Sequence, residues 1–152
     1  MYRLVFLIIM SLTTQFETQA QESSVLPTHY EIGMEKAFAL WQENKISDAA
    51  NVFERIASAE TENWLPSYYA AQVLILDAFT KMKDVDALNA QLKRAQDFVN
   101  DATAISKQNP EILVMQALLH TVYVASDGAK YGMILASKVS QIYAEALKLA
   151  PR

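Results

Sequence analysis

Apolar side chains recur every three or four positions through most of the chain, which is the spacing of one face of an α-helix. Six segments follow this pattern, and polar residues or proline separate them. The predicted helices cover about 30–41, 47–57, 68–79, 85–106, 112–125 and 131–149. No window shows a sustained alternation of apolar and polar residues flanked by turn residues, so the pattern predicts an all-α fold. Because the loops are short, we expect three antiparallel helical hairpins.

Sequence signals mark where three of these helices begin. Thr28 followed by Glu31 has the spacing of a capping box, in which each side chain accepts a hydrogen bond from the other residue's backbone. Asp84 is the expected N-cap of the fourth helix. Asn109 and Pro110 mark the start of the fifth helix, where proline fits because the first turn needs no backbone N–H.

The fourth segment is unusually long for a small domain, and its apolar residues form a narrow helical seam. The seam consists of Val85, Leu88, Leu92, Ala95, Val99 and Ala102. A seam with this spacing serves either the core of its own chain or a coiled coil with another chain. The sequence leaves both interpretations open.

The fifth segment is apolar on nearly every face. As a helix it is about 21 Å long, shorter than the hydrocarbon core of a bilayer, so we expect a buried helix and no membrane span. Ser126, Asp127 and Gly128 are expected to end this helix. The segment 126–132 then reads as an inserted loop before the last helix.

Residues 1–20 have the three-part composition of a secretory signal peptide. Arg3 gives a positive start, residues 4–12 are almost wholly apolar, and small residues lead up to Ala20. As a helix the apolar stretch spans about 14 Å, less than half of a bilayer core of roughly 30 Å. We therefore expect export to the periplasm with cleavage after Ala20. The expected organisation is a signal peptide over 1–20, a linker over 21–28 and one helical domain over 29–152.

The composition narrows the classes of function. The chain has no cysteine, which excludes disulfide scaffolds, thiolate metal sites and thiol catalysis. Its 3 glycines are too few for phosphate-cradling loops, and a net charge of -4 argues against nucleic acid as a partner. His29 and His120 share neither a helical face nor a metal-ligand spacing. We expect no cofactor, no metal and no catalytic activity, and we expect His120 to be a partly buried residue bonded to a neighbouring side chain.

Helix pairs of about 34 residues with small residues at fixed crossing points are typical of tetratricopeptide repeats. The first pair carries the family's residue types at Ala37, Leu40, Asn44, Ala49, Phe53 and Ile56. The last pair matches at Val139, Tyr143, Ala146 and Pro151, and the middle one at Ala95, Val99 and Ala102. The chain thus resembles this family over about 30–152. The run 64–71 and the pair Tyr131-Gly132 resemble a group of small exported bacterial proteins of tetratricopeptide type.

The resemblance implies an α-solenoid of three hairpins that acts as a non-catalytic scaffold for a partner protein or peptide in the cell envelope. By the family's register, the groove residues are Met34, Phe38, Trp41, Gln42, Tyr68, Gln72, Val114, Leu118 and Thr121. Such a groove is apolar with few charges, which suits an amphipathic helix or an extended apolar peptide. Phe38 and Trp41 have a second interpretation as core residues.

Two other functions stay open on the sequence. An envelope assembly subunit would act by self-association, and a small-ligand-binding protein or enzyme would hold a pocket between hairpins. The last helix favours self-association, because it carries two apolar stripes. One stripe, which includes Tyr143, is expected to face the fifth helix, and the second contains Ile134, Ala144 and Leu147. Repeat stacks normally cover such a stripe. We expect either a longer repeat protein or docking of the C-terminal helix against another chain.

Cleavage between Ala20 and Gln21 is directly testable. Mass analysis of the exported protein should show a chain that begins at Gln21, because the apolar stretch directs export and small residues precede the junction. Leu7→Arg, which places a charge in the apolar stretch, should leave the uncleaved precursor in the cell. An exported chain that retains Met1 would contradict this route.

Overall fold

The computed structural model describes residues 27–150. The expected signal peptide, most of the expected linker and Pro151 lie outside these residues. Within them the chain forms six α-helices and one short 3-10 turn at Phe79–Lys81, with no strand. The helices are α1 His29–Gln42, α2 Ile46–Ala59, α3 Leu65–Ala78, α4 Val85–Ile105, α5 Pro110–Ser126 and α6 Gly128–Leu149. The predicted all-α class and the six helices are confirmed.

The helix starts form as the capping signals predict. The Thr28 side chain accepts a hydrogen bond from the Glu31 backbone at 3.2 Å, and the Glu31 carboxylate accepts one from the Thr28 backbone at 2.7 Å. Asp84 and Asn109 cap α4 and α5, and Pro110 lies in the first turn of α5. These bonds satisfy backbone N–H groups that a helix start otherwise leaves without partners.

The connection between α5 and α6 differs from the predicted loop over 126–132. Asp127 alone separates the two helices. Its side chain accepts a hydrogen bond from the Lys130 backbone at 2.9 Å, so the residue that ends α5 also caps α6. Because Asp127 itself supplies the N-cap, α6 begins at the next residue, Gly128. Tyr131 therefore lies in the first turn of α6, where its ring packs against Tyr123 with centroids 5.2 Å apart.

Each helix packs against the next one along the chain, and α3 also contacts α5. Alanines on five of the helices have no solvent exposure, among them Ala37, Ala49, Ala70, Ala95 and Ala117. Gly33 on α1 also allows close approach, since a Cβ atom there would lie 3.1 Å from the Ile56 side chain on α2. Small side chains at the crossings bring the helix axes together and leave little empty volume.

The long fourth helix uses its seam within this chain. Leu88, Leu92 and Val99 are at most 2% exposed and belong to the core. The helix packs mainly against α3 and makes a smaller contact with α5. Only the start of the seam is open, where Val85 is 62% exposed. The structure therefore favours the core interpretation of the seam over a coiled coil with another chain.

A network of polar contacts among Gln91, Asp77 and Lys81 joins α4 to α3. The Gln91 amide donates to the Leu74 carbonyl at 2.6 Å and to the Asp77 carboxylate at 2.9 Å. The Lys81 ammonium lies 2.6 Å from the same carboxylate. Burial raises the pKa of Asp77, but the hydrogen bonds from Lys81 and Gln91 outweigh this effect and hold the pKa below its ordinary value. The carboxylate thus stays ionised where it joins the two helices.

The apolar fifth helix is largely buried, as its sequence predicts. Ile112, Met115, Leu119 and Val122 are at most 3% exposed and belong to the core. α6 packs along another side of α5. Among residues 27–150, no helix is long and apolar enough to cross a membrane.

Two substitutions on α4 test how closely the helices are packed. Ala95 has no solvent exposure, whereas Ala90 on the same helix is exposed. Ala95→Leu should lower the free energy of unfolding by about 1–3 kcal/mol, because extra methylenes overfill a packed core. Ala90→Leu should change it by about 0.5 kcal/mol or less. Equal urea midpoints for the two variants would contradict this packing.

Candidate functional site

Five aromatic side chains on α1, on α3 and just before α3 form a continuous row, which we call the aromatic row. Its order is Trp41, Phe38, Tyr69, Tyr68 and Trp64, with neighbouring ring centroids 6.4, 4.8, 5.3 and 5.4 Å apart. All five side chains are partly exposed. Since aromatic pairs interact at these separations, the row presents one connected apolar surface.

The aromatic row rests on Phe53 of α2. Phe53 is fully buried, and its ring meets Phe38 edge-on at 5.2 Å and lies 5.8 Å from the ring of Tyr69. Each such pair contributes about 0.5–1.5 kcal/mol beyond the burial of its area. The contacts join α1, α2 and α3 and restrict the rotamers of the exposed rings. The row is therefore a preorganised surface.

The start of α5 lies beside Tyr68 and extends this surface. Burial raises the pKa of the Tyr68 phenol, and the nearby Glu111 carboxylate raises it further because it disfavours a second negative charge. Farther along α5, Val114 is 40% exposed and Leu118 is partly exposed. Glu111 thus places a carboxylate near the aromatic row, and Val114 and Leu118 follow it on the same face of α5.

A cleft of about 370 Å³ opens between the start of α5 and the end of α6. Its lining consists of Pro110, Glu111, Val114, Tyr143, Ala146, Leu147 and Ala150. Tyr143, expected to pack against the fifth helix, is 38% exposed and lies at the edge of that contact. Glu111 gives the otherwise uncharged lining its only charge.

Eight of the nine groove residues predicted from the sequence reach the surface of the protein. They are Phe38, Trp41, Gln42, Tyr68, Gln72, Val114, Leu118 and Thr121, each partly or fully exposed. The ninth, Met34, is 7% exposed and belongs to the core, so it offers a partner almost no surface. The Thr121 hydroxyl is already engaged, because it donates to the Ala117 carbonyl at 2.8 Å.

The structure adds three residues that the predicted groove omits. Trp64 and Tyr69 complete the aromatic row, and Glu111 supplies its charged neighbour. The run 64–71 carries the signal for the first two, since its aromatic residues are close in sequence and separated by helical spacing. The position of Glu111 depends on how α5 packs against α3, which no local pattern reveals.

His120 is buried and bonded to a neighbouring side chain, as predicted. It is 8% exposed, and its Nε2 lies 3.0 Å from the amide nitrogen of Gln116. Gln116 also exchanges two hydrogen bonds with Gln96 of α4, at 2.7 and 2.9 Å. Because the Gln116 amide donates, the His120 ring accepts at Nε2 and is neutral, with its proton on Nδ1. Among the described residues, Nδ1 has no hydrogen-bond partner.

The surroundings of His120 explain its charge state. Burial lowers the pKa of His120, and the Lys138 ammonium on α6 lowers it further. The residue therefore acts as a neutral acceptor for Gln116, which itself bonds to Gln96 of α4. Within residues 27–150, no group of three or more His, Asp and Glu side chains is placed to hold a metal ion.

No protein-family model matches the chain, and no curated protein or solved structure is significantly similar to it. The aromatic row and its neighbours are therefore interpreted from their own geometry.

Acid should destabilise the protein through His120. The unfolded chain takes up a proton on this residue near the ordinary pKa, whereas the folded chain takes it up only at lower pH. The unfolded state thus binds more protons in this interval, so the free energy of unfolding falls as the pH decreases. Urea midpoints at about pH 7.5 and about pH 5.5, both above the range where paired carboxylates titrate, should differ more for the parent than for His120→Leu. An equal difference in both proteins would assign the effect to another group.

Proposed function

We propose that the protein is a non-catalytic helical scaffold of tetratricopeptide type, located in the cell envelope, that binds an apolar segment of a partner protein or peptide on the aromatic row. The observation that carries this proposal is the row itself. Neighbouring rings are in contact, each ring is partly exposed, and the fully buried Phe53 packs against two of them, Phe38 and Tyr69.

Partly exposed aromatic rings favour binding for two physical reasons. Their remaining exposed area contributes about 25 cal/mol per Å² when a partner covers it. Contacts with Phe53 restrict Phe38 and Tyr69, and contacts between neighbouring rings restrict the rest of the row, so binding costs little additional side-chain entropy. Tryptophan and tyrosine at the centre of such a surface commonly carry most of the binding free energy.

The polar neighbours favour a peptide as the ligand. Gln42 is exposed and Gln72 is partly exposed, and their amides can donate to and accept from a peptide backbone. Glu111 places a negative charge beside Tyr68. We expect a bound segment with apolar side chains over the aromatic row and a lysine or arginine near Glu111.

Local features support the proposed scaffold type and location. Ala37 and Ala49, at two of the family's small-residue positions, have no solvent exposure. Asn44, in the turn between α1 and α2, has φ 60°, a left-handed conformation that asparagine tolerates better than most residues. The signal-peptide pattern of residues 1–20 supports the envelope location.

Tryptophan fluorescence provides a direct test. The chain has 2 tryptophans, and both, Trp41 and Trp64, belong to the aromatic row. Short apolar peptides selected by display against the protein should change the tryptophan emission when they bind. Tyr68→Ala should weaken their binding about 30-fold, because truncating a central aromatic anchor costs about 2 kcal/mol or more.

Two further variants make this test specific. Tyr68→Phe keeps the ring and should bind within a few-fold of the parent. Phe79→Ala is the matched control, because Phe79 is a 42% exposed aromatic residue that does not belong to the aromatic row. Circular dichroism should show the same helix content in all variants. Selected peptides that bind Tyr68→Ala as tightly as Phe79→Ala would place the binding surface elsewhere.

A further inference from the structure

The last helix is packed on one side only. α6 makes its main contact with α5, and Ala146 is its single buried residue. Met133 is 94% exposed and Leu147 is 73% exposed, although both are large and apolar. A helix of this kind leaves apolar area in contact with water, which a partner would cover.

The exposed apolar residues are arranged differently from the predicted second stripe. Ile134 and Leu147 were expected to share a stripe, but at 100° per residue they point about 140° apart. The continuous line of exposed residues is Met133, Ala136, Ser140, Tyr143 and Leu147, which we call the α6 stripe. Its steps of three and four residues are those of a seam that packs against another helix.

The α6 stripe carries no charge. The four charged residues of α6 lie on other sides of the helix, about 100° or more from the centre of the stripe. They are Lys130, Lys138, Glu145 and Lys148. The hydroxyl at the middle of the stripe is satisfied within the helix, since Ser140 donates to the Ala136 carbonyl at 3.2 Å. Another helix can therefore cover the stripe without burying a charge of α6 or an unpaired serine hydroxyl.

Two pairs of residues on this side of α6 match in size about Ser140, whereas Tyr143 has the smaller Ser137 as its counterpart. Met133 and Leu147 lie seven residues to either side, and Ala136 and Ala144 lie four residues to either side. If two copies of α6 pair antiparallel, Met133 of each copy faces Leu147 of the other, and the alanines face each other near the centre. This is the property of a twofold contact: if one residue of the first copy meets a second residue of the other copy, the reverse pair also meets. Small residues at the centre let the helix axes approach closely.

We propose that α6 pairs antiparallel with the α6 of a second copy of this chain, around a twofold axis at Ser140. The match of Met133 with Leu147 and of Ala136 with Ala144, together with the lack of charge on the stripe, favours a second copy, because identical surfaces meet there without like charges at the axis. The proposal does not depend on the function of the aromatic row.

The available area is sufficient for a dimer only if α5 takes part. A helix of this length is about 33 Å long and offers a face about 10 Å wide, so α6 alone would bury roughly 660 Å² over two copies. This is less than the roughly 1,200 Å² that stable interfaces bury, so the exposed part of α5 beside the cleft, which includes Val114, must also be covered. The expected dimer therefore brings α5 and α6 of both copies together.

A single cysteine tests the symmetry axis, because the chain has no cysteine of its own. Ser140→Cys should form a disulfide between two copies under mild oxidation, since two residues at a twofold axis are close enough for this bond. Gln141→Cys is the matched control: Gln141 is also exposed but points to another side of α6, and this variant should remain monomeric on a non-reducing gel.

Light scattering after size exclusion tests the dimer without cysteine. The parent should have twice the mass of one chain at high concentration, and Leu147→Glu should have the mass of one chain. Because Leu147 is 73% exposed, this substitution should leave the helix content unchanged in circular dichroism. A parent that is monomeric at every concentration overturns the proposal. A dimer that Leu147→Glu leaves intact also overturns it. Equal crosslinking of the two cysteine variants, or open-ended assembly in which Ser140→Cys does not crosslink, would do the same.

Discussion

The burial of α3 is the constraint on which the rest of the structure depends. α3 contacts α2, α4 and α5, and Ala70, Ala71, Val73 and Ile75 on it have no solvent exposure. A helix surrounded in this way must carry small or well-fitting side chains on several faces, since its neighbours cannot relax independently. The side chains of α3 therefore limit how closely α2, α4 and α5 can pack against it.

Part of the aromatic row also belongs to the packing of the core. Phe38 packs against the buried Phe53 and is also partly exposed, so the core and surface interpretations of this residue hold together. Tyr69 has the same double role on α3. A partner would thus contact the outer side of the same rings that stabilise the first three helices. Changes at Phe53 should affect folding first, because its ring is fully buried, whereas the proposed binding surface consists of the exposed parts of the row.

The degree of burial differs along the chain. α3 is covered by three helices, whereas α6 packs chiefly against α5. α6 contacts the rest of the domain mainly through α5. The charge of Lys138 on α6 also lowers the pKa of His120 on α5. Few buried contacts mean a low free energy of local opening. Because Ala146 is the single buried residue of α6, this helix would gain stability from an additional contact.

The sequence by itself determined the six helices and most of their ends. Capping by Thr28 or Asn109 and the spacing of apolar residues act over a few positions, so they can be read without the fold. The tertiary structure decided which apolar face meets which neighbour. It placed Met34 in the core, joined Tyr69 to Phe38, and turned the predicted loop at Asp127 into a single shared cap. Periodicity shows that a helix face is apolar, but what covers that face depends on contacts between residues far apart in the chain.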